Sequence, residues 1–287
     1  MRFTNKYNYP PAYCKAAELQ VFKPSKENRF RITELIGPPL IRTLIREKWD
    51  DLIVDVSDLS NIMIGCAVHD YFGKYEADNI ITKKTLLVKI DNNEVSGQSD
   101  NFYMIKNTNA GIITDYKFTS VWSFIFGKPE WEQQLNCYAY LWTKYKYQIV
   151  ALHIAAFLKD WSEYELMQDK NHKYPDKPFY LINLPLWTFS QQDNFIKNRL
   201  FDHTHNLHRE CTPEEKWQKP TTYAVKREGR KTALRVLDSE LSCTKFIAEK
   251  KLSKEFDAGN VFIEKRQGAN IRCEKYCMVK SVCPYVR

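Results

Sequence analysis

Two strand-like runs with polar residues set among apolar ones lie near the middle of the chain. They cover Val95 to Ile105 and Gly111 to Phe118, and the segment between them, Lys106 to Ala110, carries the Asn and Thr residues typical of a turn. Because a short turn joins strands that are neighbours in a sheet, the pattern predicts a hairpin whose two strands lie side by side.

Charged side chains are predicted to converge on this hairpin. Residues two apart on a strand point to the same face, so Asp115 and Lys117 share a face and Tyr116 turns away. Strand pairing brings Asp100, the last residue of the Gly-Gln-Ser-Asp segment 97–100, beside Asp115. Two carboxylates and one ammonium group at one point suit a hard divalent cation, a water molecule and a phosphate.

Helices are predicted before and after the hairpin. The upstream helix runs from about Ser60 to Glu76 and carries His69, and the downstream helix runs from about Glu130 to Tyr145. In the second helix Gln134 and Tyr138 are four residues apart, so they share a face.

The other segments predict a mixed α/β fold. Leu86–Ile90 is expected to be a strand before the hairpin, and the apolar run Gln148–Leu158 a buried strand after it. The order helix, three strands, helix, strand suits a small mixed sheet flanked by helices. Further expected elements are a helix from Pro39 through Trp49, a polar loop over Asp50–Ser60, a short strand within Pro175–Pro185 and a helix over Trp187–Arg209.

Three regions are predicted along the chain. Residues 1–60 form an N-terminal helical segment, residues 61–210 the α/β core, and residues 211–287 a basic C-terminal region that contains cysteines. The last region shows no clear hydrophobic core of its own, so it is expected to be an appendage.

Composition narrows the class of protein. With 287 residues, 27% charged and 14% aromatic, the chain is expected to be folded and globular. It has no run of eighteen apolar residues and no signal-peptide pattern at the N-terminus, which predicts no membrane association and a cytoplasmic location. Eight cysteines in such a chain favour free thiols or metal ligands over disulfides.

Positive charge is concentrated in the last quarter of the chain. The net charge is +8, and the segment from Lys216 to Arg287 holds 17 Lys and Arg against 8 Asp and Glu. A basic region beside an acidic site is typical of a protein that binds a phosphate backbone, although a solvated lysine-rich surface has the same composition.

The ordered set His69, Asp100, Asp115-x-Lys117 and Gln134-xxx-Tyr138 resembles the RecB-like branch of the PD-(D/E)XK nucleases. That branch includes phage exonucleases and CRISPR-associated nucleases that carry an iron–sulfur cluster. The resemblance extends over about residues 30–160, and Asp115 stands where many relatives have Glu. It implies a restriction-endonuclease-like core.

The resemblance also implies roles for the site residues, with Mg²⁺ or Mn²⁺ as cofactor. The implied metal ligands are His69, Asp100, Asp115 and the backbone carbonyl of Tyr116. The implied catalytic residues are Asp100, Asp115, Lys117, Gln134 and Tyr138. Lys117 would orient or deprotonate the water or neutralise developing charge, and Gln134 and Tyr138 would hold a phosphate or steady Lys117. A glycine one turn before the histidine, Gly65, is expected to let this helix pack closely on the sheet.

Cysteines at the end of the chain suggest a second metal centre. Cys273, Cys277 and Cys283 resemble the trio that iron–sulfur relatives combine with one distant cysteine, although the first gap here is three residues where those relatives usually have two. Cys211 is the expected fourth ligand and Cys243 its competitor. The predicted centre is a 4Fe–4S cluster or Zn²⁺, with free thiols as the alternative.

The function that these patterns favour is a metal-dependent DNA exonuclease, acting in phage-type DNA recombination, replication or end processing. No Gly-xxxx-Gly-Lys-Ser/Thr motif is present, which suggests a stand-alone protein, in the host cytoplasm if it is phage-encoded. DNA is the expected partner, with a homo-oligomer or a recombination or replication protein also compatible. The alternatives are an endonuclease with the same core and a DNA-binding or assembly protein whose nuclease site has decayed.

Overall fold

The computed structural model describes residues 1–23, 26–75 and 77–286. Two compact units divide the chain, Met1–Arg209 and Glu210–Arg287. The predicted helix end at Glu76 and the last residue of the predicted C-terminal region, Arg287, lie outside the described residues. The fold is mixed α/β, with several small sheets flanked by helices. Across the described residues, no helix combines the length and apolar character needed to cross a membrane.

The elements of the first unit alternate along the chain. Its strands are β1 (Arg2–Thr4), β2 (Arg29–Arg31), β3 (Ile53–Asp55), β4 (Ile80–Thr82), β5 (Thr85–Ile90), β6 (Asn93–Gln98), β7 (Asn101–Met104), β8 (Ala110–Thr119), β9 (Gln148–Leu158) and β10 (Phe179–Leu184). Its helices are α1 (Pro11–Glu18), α2 (Ile32–Leu35), α3 (Pro39–Glu47), α4 (Ser60–Phe72), α5 (Val121–Phe126), α6 (Pro129–Lys144), α7 (Glu163–Gln168) and α8 (Phe189–His205), with short 3-10 turns at Trp49–Asp51 and Val56–Leu59.

A five-stranded sheet, in the order β10-β9-β8-β7-β4, forms the centre of the first unit. The predicted hairpin is confirmed: β7 and β8 are antiparallel, with Asn101 opposite Thr114. β8 and β9 are parallel, and the crossover between them contains α5 and α6. α6 packs against β8 and β9, and α4 packs against β8.

The prediction of a single strand over residues 95–105 is wrong, because the chain leaves one sheet and enters another at Ser99 and Asp100. β6 belongs to a separate three-stranded sheet, β2-β6-β5, and β7 to the five-stranded sheet. Gly97 passes so close to its neighbours that an added Cβ would lie 2.5 Å from Ile32 Cδ1. Two residues later the chain is held by Ser99, whose hydroxyl accepts a hydrogen bond from Trp142 Nε1 at 3.1 Å. Asp100 therefore stands at the junction of the two sheets.

The first sixty residues are part of this unit and contain strands as well as helices. β2 pairs with β6 in parallel, and β1 pairs with β3. The segment predicted as a polar loop over 50–60 contains β3 and two 3-10 turns instead. Phe30 and Leu35 are fully buried in the same core as the helix α6. Backbone pairing thus joins this segment to the three-stranded sheet, and burial joins it to the core around α6.

The second unit has a small core of its own, so the prediction of an appendage without one is wrong. Its strands are β11 (Gln218–Lys219), β12 (Thr222–Arg227), β13 (Arg235–Leu237), β14 (Val261–Arg266) and β15 (Ala269–Asn270), and its helices α9 (Glu240–Glu249), α10 (Ser253–Asp257) and α11 (Ile271–Lys275). The antiparallel sheet β13-β12-β14 buries Val225 and Val261 against Cys243 and Ile247 of α9. These apolar positions are few and widely spaced, which hides the core in the sequence pattern.

Candidate active site

Asp100 is held at the sheet junction by the backbone of β8. β8 continues past the first residue of β7, so the amide of Tyr116 has no strand partner on that side. The Asp100 carboxylate takes this place, since Oδ2 accepts the Tyr116 N–H at 2.8 Å. Its other oxygen, Oδ1, lies 2.8 Å from Nδ1 of His69 on α4. The backbone of Tyr116 thus joins the site through its amide, and metal ligation by its carbonyl stays a prediction.

A second set of contacts links β8 to α6. Lys117 Nζ lies 2.6 Å from Asp115 Oδ2 and donates to Gln134 Oε1 at 3.1 Å. The amide nitrogen of Gln134 donates to the Tyr138 hydroxyl at 2.8 Å and lies 3.5 Å from Asp115 Oδ1. The Gln134 amide oxygen faces the ammonium group of Lys117, and its nitrogen faces the oxygens of Tyr138 and Asp115. Gln134 therefore links these three side chains.

Burial makes this set electrostatically unusual. Asp115 is only 2% exposed, and burial raises the pKa of its carboxyl, an effect that the ammonium of Lys117 opposes. The neighbouring charge of Asp100 raises the Asp115 pKa further. The contact with Asp100 raises the pKa of His69, and burial raises that of Tyr138. The site therefore brings together three ionisable side chains whose pKa values are shifted by different causes.

Two buried atoms of the site have no aligned hydrogen bond within the described residues: His69 Nδ1 and Asp115 Oδ2. Each lies within ion-pair distance of a charged group, but the angles are unsuited to a hydrogen bond. An imidazole nitrogen and a carboxylate oxygen are ligand atoms that Mn²⁺ accepts, and Mg²⁺ accepts the carboxylates. In the described part of the chain, no three His, Cys, Asp or Glu side chains are arranged to hold a metal ion as they stand. The donor set fits such an ion, but binding requires these side chains to shift.

α4 is fixed to the sheet by an aromatic side chain one turn after His69. The ring of Phe72 stacks on Tyr116 at 4.8 Å and on Phe157 of β9 at 5.3 Å between ring centroids. A Cβ added at Gly65 would meet nothing within 4 Å. The expectation that Gly65 allows close packing is therefore wrong, and Phe72 provides the contact.

Sequence reasoning missed two lysines near the site, Lys128 and Lys159. Lys159 directly follows β9, its amide donates to the carbonyl of Thr119 at 2.8 Å, and its Nζ donates to Asn61 Oδ1 at 2.8 Å. Lys128 is the N-cap residue of α6. Desolvation lowers the pKa of Lys128, Glu130 opposes this, and the positive charges of Lys117 and Lys159 lower it further. In the sequence, the feature that could have identified them is their place at the ends of elements: Lys159 directly follows a strand, and Lys128 directly precedes a helix.

Within the second unit, the four cysteines of the predicted centre influence one another. Burial raises the pKa of Cys211 to about 12, Glu215 raises it too, and the proximity of the ionisable Cys277, Cys273 and Cys283 adds to this. Segments near the thiols are connected, since the amide of Arg272 donates to the Lys216 carbonyl at 3.0 Å and its Nη1 to the Glu215 carbonyl at 2.7 Å.

The competitor, Cys243, lies in the core of the second unit. It is fully buried, and its Sγ lies 3.5 Å from the carbonyl oxygen of Tyr223. None of the eight cysteines, all of which lie within the described residues, forms a disulfide bond. Cys243 thus acts as a small core residue, whereas Cys211 lies near the C-terminal trio.

Comparison with known proteins adds little to this geometry. No protein-family model matches the chain, and no curated protein matches it in sequence. Among solved structures, the chain is similar to the crystal structure of SSO0001, with 17% sequence identity, a TM-score of 0.48, and coverage of 71% of this chain and 87% of that chain. A likeness this distant says nothing about activity.

Proposed function

We propose that the chain is a metal-dependent DNA exonuclease with a restriction-endonuclease-like core of the RecB-like type. One observation carries the proposal: side chains from the sheet junction, β8, α4 and α6 form one network of contacts and charge interactions. Its members are His69, Asp100, Asp115, Lys117, Gln134 and Tyr138. Residues far apart in sequence and of the types that phosphodiester hydrolysis requires are thus brought together.

The chemistry follows from the donor set. A divalent ion, held by Asp100 and Asp115 with His69, would polarise a phosphodiester and lower the pKa of water. The chain itself supplies Lys117, whose ammonium group lies between a carboxylate and the Gln134 amide oxygen. From this position it can orient the attacking water or stabilise the charge that develops on the phosphate. Gln134 and Tyr138 keep Lys117 in place through their hydrogen bonds.

Charge outside the network supports DNA as the substrate. Lys128 and Lys159 lie near Lys117 in the first unit. The second unit carries the excess of Lys and Arg after Lys216. Phosphate contacts of this kind make binding dependent on salt, so the affinity of a catalytically dead variant for DNA should fall as salt rises.

The decisive experiment is digestion of end-labelled single-stranded, double-stranded and circular DNA, with Mg²⁺, with Mn²⁺ and without metal. We expect metal-dependent degradation of linear DNA and losses of at least about 100-fold in the variants Asp100→Ala, Asp115→Ala and Lys117→Ala. Asp70→Ala is the matched control, because Asp70 is next to His69 but its side chain is 71% exposed.

The outcomes separate the alternatives. Cleavage of circular DNA would identify an endonuclease with the same core. DNA binding without metal-dependent cleavage would identify a binding or assembly protein whose nuclease site has decayed. Full activity in folded Asp115→Ala would show that the reaction does not use this site.

We also propose that Cys211, Cys273, Cys277 and Cys283 hold a 4Fe–4S cluster or Zn²⁺. Four thiols are a complete ligand set for either, and the ligands become thiolates on binding. Protein purified without oxygen should absorb in the visible range or contain zinc by elemental analysis. Cys211→Ser should lower the metal content, whereas Cys243→Ser should not. Protein free of both metals, with four reactive thiols and full activity, would contradict this proposal.

A further inference from the structure

Two large aromatic side chains next to the candidate active site are exposed to solvent. Trp122 and Phe126, four residues apart on α5, are 64% and 78% exposed. Their rings are nearly parallel, with 5.8 Å between centroids and an angle of 12° between planes. Aromatic side chains of this size usually bury most of their surface, so a stacked pair left in water indicates a binding surface.

The helix that carries the pair is firmly attached on its other face. Val121 is 2% exposed, and its amide donates to Asp160 Oδ1 at 2.7 Å. The ring of Phe124 packs on Tyr180 at 4.4 Å between centroids. Ser120 caps the helix by accepting a hydrogen bond from the amide of Ser123 at 3.1 Å. The exposure of the pair therefore belongs to an anchored helix.

Lysines flank α5 along the chain, and the carboxylate of Asp160 lies at its first residue. The helix begins four residues after Lys117 and ends two residues before Lys128. Lys159 is bound to the same stretch of β8, through its amide and the carbonyl of Thr119 at 2.8 Å. Exposed rings beside several ammonium groups match a single nucleic-acid strand, in which bases stack on aromatic rings and phosphates contact cations. An apolar protein partner would not require these charges.

We propose that Trp122 and Phe126 form a platform on which the unpaired bases of a DNA strand stack, while its phosphates contact Lys128 and Lys159. The site would then take single-stranded DNA or frayed ends in preference to closed duplex. This assignment rests on the proposed nuclease function, since it names the substrate form that reaches the same site.

The test measures binding separately from cleavage. Wild-type protein, Trp122→Ala, Phe126→Ala and Trp122→Phe are titrated, in EDTA, with a fluorescent single-stranded oligonucleotide and with the matching blunt duplex. Tyr164→Ala is the control, because Tyr164 on α7 is also 68% exposed. Since all these side chains are exposed, the variants should fold normally, which circular dichroism checks.

We expect both alanine variants to bind the single strand about 5- to 150-fold more weakly, with little change for duplex. Trp122→Phe should retain part of the affinity, because phenylalanine keeps a stacking ring, and Tyr164→Ala should bind like wild type. Tryptophan fluorescence should be quenched by the single strand in wild type and less so in Trp122→Phe. In cleavage assays the loss should be in KM, with kcat nearly unchanged.

The proposal and the nuclease assignment can fail independently. Unchanged single-strand binding in both alanine variants, with active wild-type enzyme, overturns the platform and leaves the nuclease. Weakened binding in a protein that cleaves no DNA supports the platform and overturns the nuclease. Equal loss of affinity for single strand and duplex overturns the preference for unpaired bases. Absence of any DNA binding overturns both.

Discussion

The helices α4 and α6 both carry site residues, but the fold holds them in different ways. α6 is buried along most of its length, and Leu135, Tyr140 and Trp142 are at most 1% exposed. α4 has no fully buried residue, and Tyr71 on it is 71% exposed. α4 is attached by the stacking of Phe72, by the contact between His69 and Asp100, and by polar contacts at Ser60, Asn61 and Asp70.

This difference explains how the site is positioned. Close packing leaves α6 little freedom, so Gln134 and Tyr138 orient Lys117 from a fixed support. The position of His69 depends on a charged contact, on the stacking of Phe72 on two rings and on polar contacts of α4, so under the proposed function we expect α4 to be the side that adjusts on ion binding. The α6 side is thus held mainly by burial, whereas the α4 side is held by aromatic stacking and polar contacts.

The largest expected effect tests the packing of α6. Trp142→Ala should reduce the free energy of unfolding by about 3–5 kcal/mol, because this fully buried ring stacks on Phe102 with 4.0 Å between centroids. Tyr71→Ala on α4 should change it by no more than about 0.5 kcal/mol. Urea unfolding of both variants provides the measurement. Equal destabilisation would show that the two helices are held alike.

Substitution of Asp115, which lies on β8 and faces α6, should change activity without lowering stability. Asp115→Asn is expected to slow DNA cleavage at least about 100-fold, which is about 2.7 kcal/mol of barrier. Its unfolding free energy should stay the same or rise, because burial already disfavours the charged carboxylate. Cleavage rates and urea unfolding are compared with those of Asp70→Asn. A rate within tenfold of wild type would argue against a direct role for Asp115.

Local periodicity made four of the six site residues predictable as two pairs that each share a face. The hairpin turn, the shared face of Asp115 and Lys117, and the shared face of Gln134 and Tyr138 follow from spacings of two and four residues. The break at Asp100 could not be predicted, because residues 95–105 read as one continuous strand. It arises from Ser99 and Gly97 packing against α6 and α2, which are contacts between distant segments.

The dependence on contacts between distant segments also explains why the two lysines and the core of the second unit were not predicted. Whether Lys159 lies near Lys128 depends on the parallel pairing of β8 and β9, which no local pattern specifies. The core of the second unit combines Val225 with Val261 and Cys243, from three separate elements. Such sets are visible only once the strands are paired.

Acid should lower the free energy of unfolding through a buried histidine. His203 on α8, which packs against α6, is 2% exposed, and burial together with the charge of Arg199 lowers its pKa to about 4. The folded protein keeps this imidazole neutral, whereas the unfolded chain binds a proton below its usual pKa of 6.5. The contribution to stability is therefore complete above pH 6.5 and is lost as pH falls toward 4, by about 2 kcal/mol at pH 5.

Urea unfolding between pH 7.5 and 4.5 measures this effect. His203→Gln cannot titrate, so the stability of that variant should vary less with pH over this interval. Identical pH profiles for the variant and wild type would assign the acid sensitivity to other groups.

The smallest expected effect is a gain on the α4 side. Gly65 lies inside α4, where glycine costs about 0.5–1 kcal/mol relative to alanine, and an added Cβ would meet nothing within 4 Å. Gly65→Ala should therefore raise the free energy of unfolding by about that amount and leave DNA cleavage unchanged. Thermal unfolding and the end-label assay measure the two quantities. A loss of stability would mean that α4 packs more closely on a neighbour than the open space at Gly65 indicates. A loss of activity without a loss of stability would mean that α4 must bend at this glycine to bring His69 to an ion, which would place the adjustable part of the site one turn before the histidine.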